Sequence, residues 1–392
     1  MVKFFQIIYE RQKKMKKILI LYAAYGGGHL SAAKSLKNYI DKNYQNVETN
    51  LVDCMKYINK PIEKITTGAY KEMAKKAPWV WKKVYYNSEK GLLGRFSSTT
   101  NKFMSHKLLH LFEDYKPDLV ISTHPFGTQM TEYLKKKNKV NCKLATILTD
   151  FAPHDQWLVG NEYGDYYFVS HEKMKESLIK DFRVDESKVY ATGIPLSERF
   201  SQKFDTNEIY NLFELDKNKK TILFFGGGEF GLGKEKTVAI LKTLTNHLDK
   251  YQIIAVSGRN PKMNSAFKNL ANELGNPSSL KIFDYITNVP EAMHISDLVI
   301  TKPGGLTTTE SLASHLPILV INPIPGQEEE NAEFLVQAGV AIWLKSSDNS
   351  DEVITKLLNS PNKLEEMRNN TEKLAHIDST KNICEILKKD LF

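Results

Sequence analysis

Cysteine is scarce in this chain. Cys54, Cys142 and Cys384 are its only three, odd in number and far apart, which excludes a disulfide framework and fits a reducing compartment. No stretch approaches the roughly 20 apolar residues that a membrane span needs. The N-terminal run Phe4–Ile8 is short and is broken by Glu10 and Arg11, so it does not read as a secretory signal. The expectation is a protein that stays inside the cell. No Asp-x-Asp occurs anywhere, so the sequence offers no paired carboxylates of that kind to hold a divalent metal against phosphate.

What is present is enough apolar material for two cores. The 392 residues are 41% hydrophobic, and a chain of this length is expected to split into two domains. Met15-Lys-Lys precedes the first good strand, so residues 1–15 are set aside as an N-terminal extension or a misassigned start. Lys17-Ile-Leu-Ile-Leu-Tyr22 reads as a buried strand, Ala23 to His29 with Gly26, Gly27 and Gly28 as a turn, and Leu30–Tyr44 as an amphipathic helix. A second strand, Val47–Val52, follows. The same unit recurs later: strand Lys220–Phe225, the glycine loop Gly226-Gly227-Gly228 continuing to Lys234, then a helix over Thr237–Leu248. The pattern predicts an α/β chain of two Rossmann-like doubly wound domains facing a cleft. The expected boundaries are 16–198 and 199–376, joined near Gly193-Ile-Pro195, with residues 377–392 as a final helix crossing back onto the first half. Gly-Gly-Gly-His29 is not the G-x-G-x-x-G of a dinucleotide fold, which argues against Asp53 as a nicotinamide-ribose acid.

Polar residues gather where strands end. Asp118–Ser122 runs into Thr123-His124-Pro125, and Lys143–Leu148 into Thr149-Asp150. Ligands bind open α/β sheets outside the carboxyl ends of parallel strands, so His29, His124 and Asp150 are expected to converge on one cleft. Any of the three could act as a proton acceptor, and His29 leads by its place in the glycine loop.

The most specific segment is Thr301-Lys-Pro-Gly-Gly-Leu-Thr-Thr-Thr-Glu310 with Pro325-Gly-Gln-Glu328. An apolar strand, Asp297–Ile300, enters a turn made by Pro303, Gly304 and Gly305, and a helix starts there. Bare glycines admit a diphosphate to the backbone. Helix-start amides and the Thr307 and Thr308 hydroxyls can donate to it, and Lys302 can meet its charge. Glu310, one turn in, suits the two hydroxyls of a ribose. Gln327, Glu328 and Asn331 begin the next helix and suit sugar hydroxyls. Tyr285 and Ile286, after the strand Leu280–Phe283, are candidates to flank a uracil.

Between Lys56 and Lys107 the chain is strongly basic, with Trp79, Trp81, Lys82, Lys83 and Arg95 interleaved and only Glu63, Glu72 and Glu89 opposing. That mixture suits an anionic membrane surface better than a nucleic acid, although the net charge of +8 by itself requires only an anionic partner. No nucleic acid is expected.

Taken together, Gly-Gly-Gly-His29, Gly226-Gly-Gly228, Thr301 to Glu310 and Pro325 to Glu328 resemble the diacylglycerol glycosyltransferases. These are the bacterial processive diacylglycerol glucosyltransferases and the plant monogalactosyldiacylglycerol synthases, which share the GT-B fold with the enzyme that makes lipid II. The similarity runs from about Lys16 to about Gly339. It implies transfer of a hexose from a UDP-sugar to diacylglycerol with inversion, no cofactor and no metal, on the cytoplasmic face of the membrane as a peripheral protein. It places ribose at Glu310, diphosphate at Gly304 to Thr308, hexose at Gln327 and Glu328, uracil between Tyr285 and Ile286, and the acceptor near Gly27, Gly28 and His29. Glucose is favoured over galactose by the Lys- and Asn-rich, bacterial-looking composition. Two alternatives stand beside it: N-acetylglucosamine transfer to a lipid-linked wall precursor, and a sugar-nucleotide-binding protein without catalysis.

Overall fold

The computed structural model describes residues 15–24, 27–58, 92–159, 161–227 and 233–391. Two six-stranded sheets, parallel in every pairing, organise the chain. The first holds β1 (Lys16–Tyr22), β2 (Val47–Asp53), β3 (Leu119–Ser122), β4 (Lys143–Ile147), β5 (Tyr166–Val169) and β6 (Val189–Ala191), in the order β2-β1-β3-β4-β5-β6. The second holds β7 (Lys220–Phe225), β8 (Tyr251–Val256), β9 (Leu280–Phe283), β10 (Leu298–Thr301), β11 (Ile318–Ile321) and β12 (Ala341–Leu344), in the order β12-β11-β10-β7-β8-β9.

Strand composition follows from burial on both faces, since a parallel sheet sandwiched by helices needs continuous apolar runs. Ile18, Leu19, Ile20 and Leu21 of β1 are all fully buried, and they alternate between two cores. Leu19 and Leu21 join Val120 and Leu144 on one face, while Ile18 and Ile20 join Ile121 and Ile147 on the other. Ile383, Cys384 and Leu387, from the C-terminal helix Ser379–Leu391, complete that second core. Each fully buried Ile or Leu contributes about 1.5–3 kcal/mol, so this helix is a structural part of the first half although it comes last in the chain. Its first turn also ties down the crossover. Ser379 Oγ donates to Ile194 O at 2.8 Å, and Thr380 Oγ1 bridges Leu196, donating to its carbonyl at 2.7 Å and accepting its N–H at 2.9 Å.

Strand order positions the site. In the first sheet the chain lays down β1 and β2 and then returns to the other side of β1 with β3; in the second, β10 returns beside β7 after β8 and β9. Helices leaving β1 and β3, or β7 and β10, therefore diverge to opposite faces and leave a crevice at each switch point. The β1 and β3 ends carry His29 and His124. The β7 and β10 ends carry Gly226 and the Lys302–Gly305 turn. Two helix starts differ from the periodicity: the first glycine-loop helix begins at Gly27 rather than Leu30, and the later one at Lys234 rather than Thr237. In each case glycine or charge at the helix start carries no apolar signal.

Candidate active site

His29 is the third residue of the helix Gly27–Asn43, where its ring is half-buried. Its Nδ1 lies 2.6 Å from Thr123 O and 3.0 Å from Thr149 Oγ1, and its own carbonyl accepts from Thr123 Oγ1 at 2.9 Å. A carbonyl oxygen can only accept, so Nδ1 carries the proton and Nε2 of the neutral ring presents a lone pair. His124 packs edge-on at 4.5 Å between ring centroids. Its Nδ1 accepts from Phe126 N at 3.2 Å, capping the helix Pro125–Lys136. The cap fixes the opposite tautomer, with the proton on Nε2, which makes His124 a donor where His29 is an acceptor.

Asp150 is buried at the β4 end, where Trp157 Nε1 donates to its Oδ2 at 3.0 Å and the nearby Gln327 side chain also favours its charged form. His154 Nε2 stands 3.8 Å from the same oxygen. Burial raises the Asp150 carboxyl to about 7 against the lowering effect of those two side chains. Burial likewise lowers His29 and His154 to about 4 each, and His124 well below its ordinary value, with the neighbouring rings adding to the effect on His124 and His154. The cluster is thus built from neutral imidazoles. The structure brings His29, His124 and Asp150 into one neighbourhood. It adds His154 and Trp157, from the loop that follows Asp150.

The second half presents its residues from the opposite side. The helix Gly305–Ala313 starts directly after β10 with Gly304 as its cap. Thr308 is fully buried and its Oγ1 has no hydrogen-bond partner among the described residues. Burial raises the Glu310 carboxyl to about 8. Lys302 lies alongside Gly227, whose φ of +106° only glycine adopts readily, and a Cβ there would meet Lys302 Cε at 3.5 Å. Burial lowers the Lys302 ammonium, while nearby Glu328 opposes the shift. Glu328 Oε2 accepts from Ile324 N at 2.6 Å, and burial raises its carboxyl. Tyr285 is exposed, with the Arg259 guanidinium 4.8 Å over its ring.

Several residues sit differently from the sequence reading. A Cβ on Gly226 would lie 2.6 Å from Phe267 Cζ, so core packing alone accounts for that glycine. Ile286 is buried in the second half's core, leaving its backbone rather than its side chain for any ligand. Asn331 is 1% exposed, and both ends of its amide are engaged: Oδ1 accepts Phe151 N at 2.9 Å and Nδ2 donates to Pro303 O at 3.0 Å. It is a strut between the halves. Thr307 stands in the first turn with Thr308, and its carbonyl accepts from Ser311 Oγ at 2.7 Å. Gly228, Trp79, Trp81, Lys82 and Lys83 lie outside the described residues, as does the side chain of Arg95.

The two glycine turns face each other across a closed seam. A Cβ on Gly28 would touch Leu306 Cβ at 3.5 Å, and one on Gly305 would lie 1.8 Å from Thr149 O. Phe334 extends the seam, stacking on His171 at 3.9 Å and on Phe151 at 5.8 Å. His171 escaped the sequence reading, although Ser170-His171 ends β5 much as Thr123-His124 ends β3. A separate cavity of about 660 Å³ opens at the other ends of the first sheet's strands, lined by Lys16, Asp118, Lys143 and Asp165 among others. None of the converging residues lines it. Among the described residues no group of His, Cys, Asp or Glu is placed to hold a metal ion.

Two doubly wound halves, with an imidazole cluster at one switch point and a glycine–threonine helix start at the other, define a GT-B glycosyltransferase fold. Solved structures of that shape include S. aureus MnaA with UDP (TM-score 0.66, 14% identity, covering 96% of this chain and 98% of that one) and Acinetobacter baumannii MurG (TM-score 0.62, 14% identity, 95% and 99%). The monogalactosyldiacylglycerol (MGDG) synthase family model matches residues 29–196, and the glycosyltransferase family 28 C-terminal domain matches residues 221–383. The processive diacylglycerol beta-glucosyltransferase of Bacillus pumilus (strain SAFR-032) is 31% identical over 94% of each chain, and that of Bacillus subtilis (strain 168) is 30% identical over 96% of this chain and 95% of its own. This chain belongs to the family of the processive diacylglycerol beta-glucosyltransferases.

Proposed function

We propose that the protein transfers glucose from UDP-glucose to the free hydroxyl of 1,2-diacylglycerol, inverting the anomeric carbon, with the first half holding the acceptor and the second the donor. The observation that carries this reading is the opposition of His29 to the Gly304–Glu310 turn across the seam, in a chain whose relatives bear that activity in their names.

The geometry supports a single displacement. The lipid hydroxyl gives its proton to Nε2 of His29 as its oxygen bonds to the sugar's C1, and the C1–O bond to the diphosphate breaks on the opposite face. UDP leaves with that electron pair. Charge gathers on the diphosphate, where the amides of Gly305, Leu306 and Thr307, the helix dipole and Lys302 meet it. The orphaned Thr308 hydroxyl is a further donor for the same anion. Glu310 accepts the ribose hydroxyls, and Gln327 and Glu328 meet the hexose. Asp150, hydrogen-bonded to Trp157 and close to Gln327, holds the sugar side and the acceptor side in register. The basic, aromatic stretch between Lys56 and Lys107 supports collection of the lipid from an anionic membrane surface on the cytoplasmic face. Among the described residues no helix is long and apolar enough to cross a membrane.

The test is transfer of radiolabel from UDP-glucose, UDP-galactose and UDP-N-acetylglucosamine, separately, into diacylglycerol in anionic mixed micelles, with His29→Ala and Glu310→Ala beside the parent. Label from UDP-glucose, lost in both variants, is expected. Transfer from another donor reassigns the sugar, and no transfer while UDP still binds removes the catalytic reading.

A further inference from the structure

Thr149 touches both halves of the site with different atoms. It follows β4, and the N–H of the preceding residue, Leu148, donates to Phe168 O at 2.9 Å, which fixes the backbone there. The Thr149 side chain is 5% exposed, and its hydroxyl lies 3.0 Å from His29 Nδ1. Its carbonyl faces the other way, against Gly305, so closely that no Cβ fits between them. Phe151, two residues on, is also fastened across the seam, through Asn331 to Pro303 O.

We propose that Thr149 is a positioning residue that registers the His29 ring to the diphosphate turn: its hydroxyl shares the Nδ1 proton with Thr123 O while its carbonyl seats Gly305. The hydroxyl is held at one rotamer by β-branching and burial. With Thr123 O on one side of the Nδ1–H and Thr149 Oγ1 on the other, the ring has one tautomer and one orientation, and Nε2 is the atom left to take a proton. Because the same residue's backbone abuts the donor turn, that orientation is set relative to the diphosphate rather than to the first half alone. The inference rests on the reading that His29 accepts the lipid proton.

The experiment uses the full chain with Thr149→Val, which keeps shape and backbone but loses the hydroxyl, and Thr149→Ser, which keeps the hydroxyl. Thr149→Val is expected to lower kcat about tenfold, with UDP affinity within about twofold of the parent, while Thr149→Ser stays within about threefold. The ring nitrogens are read independently by ¹⁵N NMR of labelled histidine. His29 is expected to carry its proton on Nδ1 in the parent and, because Thr123 O remains, in Thr149→Val as well, with the Nδ1 resonance shifted by the loss of the second acceptor; an unshifted resonance overturns the proposal. Full kcat in Thr149→Val, a Thr149→Ser as impaired as Thr149→Val, or UDP affinity lost in step with kcat overturns the proposal. So does an Nε2-protonated His29 in the parent. If the parent transfers no sugar at all, the functional reading fails, while the NMR measurement still decides the Thr149 contact.

Discussion

Replacing Gly305 with alanine would drive a methyl group into the carbonyl of Thr149. The new carbon would lie 1.8 Å from that oxygen and 3.0 Å from its carbon, where ordinary contact begins near 3.4 Å. Both partners are backbone, so neither can rotate away. The donor turn must retreat by about 1.6 Å, or the strand end must move by the same amount. A misplacement of about 1 Å at reacting groups costs on the order of 100-fold, which corresponds to about 2.7 kcal/mol of barrier. Gly305→Ala is therefore expected to lower kcat/KM for UDP-glucose by about 100-fold or more. Ile194 beside the new methyl and Leu312 on the displaced helix both belong to the second half's core, so the melting transition should fall as well and folding is checked beside activity. Gly304→Ala is the companion: its Cβ meets nothing within 4 Å, so the fold accommodates it and any loss appears in UDP affinity alone. Steady-state transfer with both variants, beside calorimetric titration with UDP, separates the two effects. A Gly305→Ala enzyme that folds and keeps kcat/KM within about threefold of the parent would refute the seam as the place where donor and base are registered.

Two further outcomes follow from buried carboxyls. Glu310 sits at about 8 in the free protein, so it is mostly protonated at pH 7. Accepting two ribose hydroxyls favours its ionised form, so UDP binding should release a proton, with affinity rising from pH 6 towards 8 and levelling above. Titration enthalpies in buffers of different ionisation heat measure that proton, and Glu310→Gln should abolish the dependence; buffer-independent enthalpies in the parent would remove Glu310 from the ribose. Glu132 is 2% exposed and accepts from Tyr167 OH at 3.1 Å, while its second oxygen has no partner among the described residues. Burial raises it from 4.5 to about 8. The folded state then binds the proton more tightly than the unfolded one, so this group's stabilising contribution is complete below about pH 4.5 and is lost as pH rises towards 8. Glu132→Gln should melt higher than the parent at pH 8.5 and lose that advantage near pH 5; parallel melting curves across that range would contradict it.

Parts of this protein whose signals are local were legible before any tertiary contact was known. Apolar runs of four to seven residues marked buried parallel strands, polyglycine marked the turns at β1, β7 and β10, and polar residues marked the ends of β3 and β4, where His29, His124 and Asp150 gather. The glycine–threonine block was legible as a strand-to-helix turn because proline and glycine in consecutive positions mark such a turn locally. Tertiary structure decided everything that depends on what a side chain meets from a distant segment. Gly226 proved to be required by Phe267, some 40 residues away, and Asn331 spends its amide on Phe151, 180 positions distant. His29 and His124 look equivalent as strand-end histidines, yet a carbonyl at one Nδ1 and a helix-start amide at the other give them opposite tautomers. Periodicity and turn chemistry encode where the chain bends and which face it buries. The His29 tautomer is set by Thr123, which comes beside it only when β1 and β3 pair, and the register of the halves by contacts such as Asn331 to Phe151 and Gly305 to Thr149, which exist only once those halves have closed.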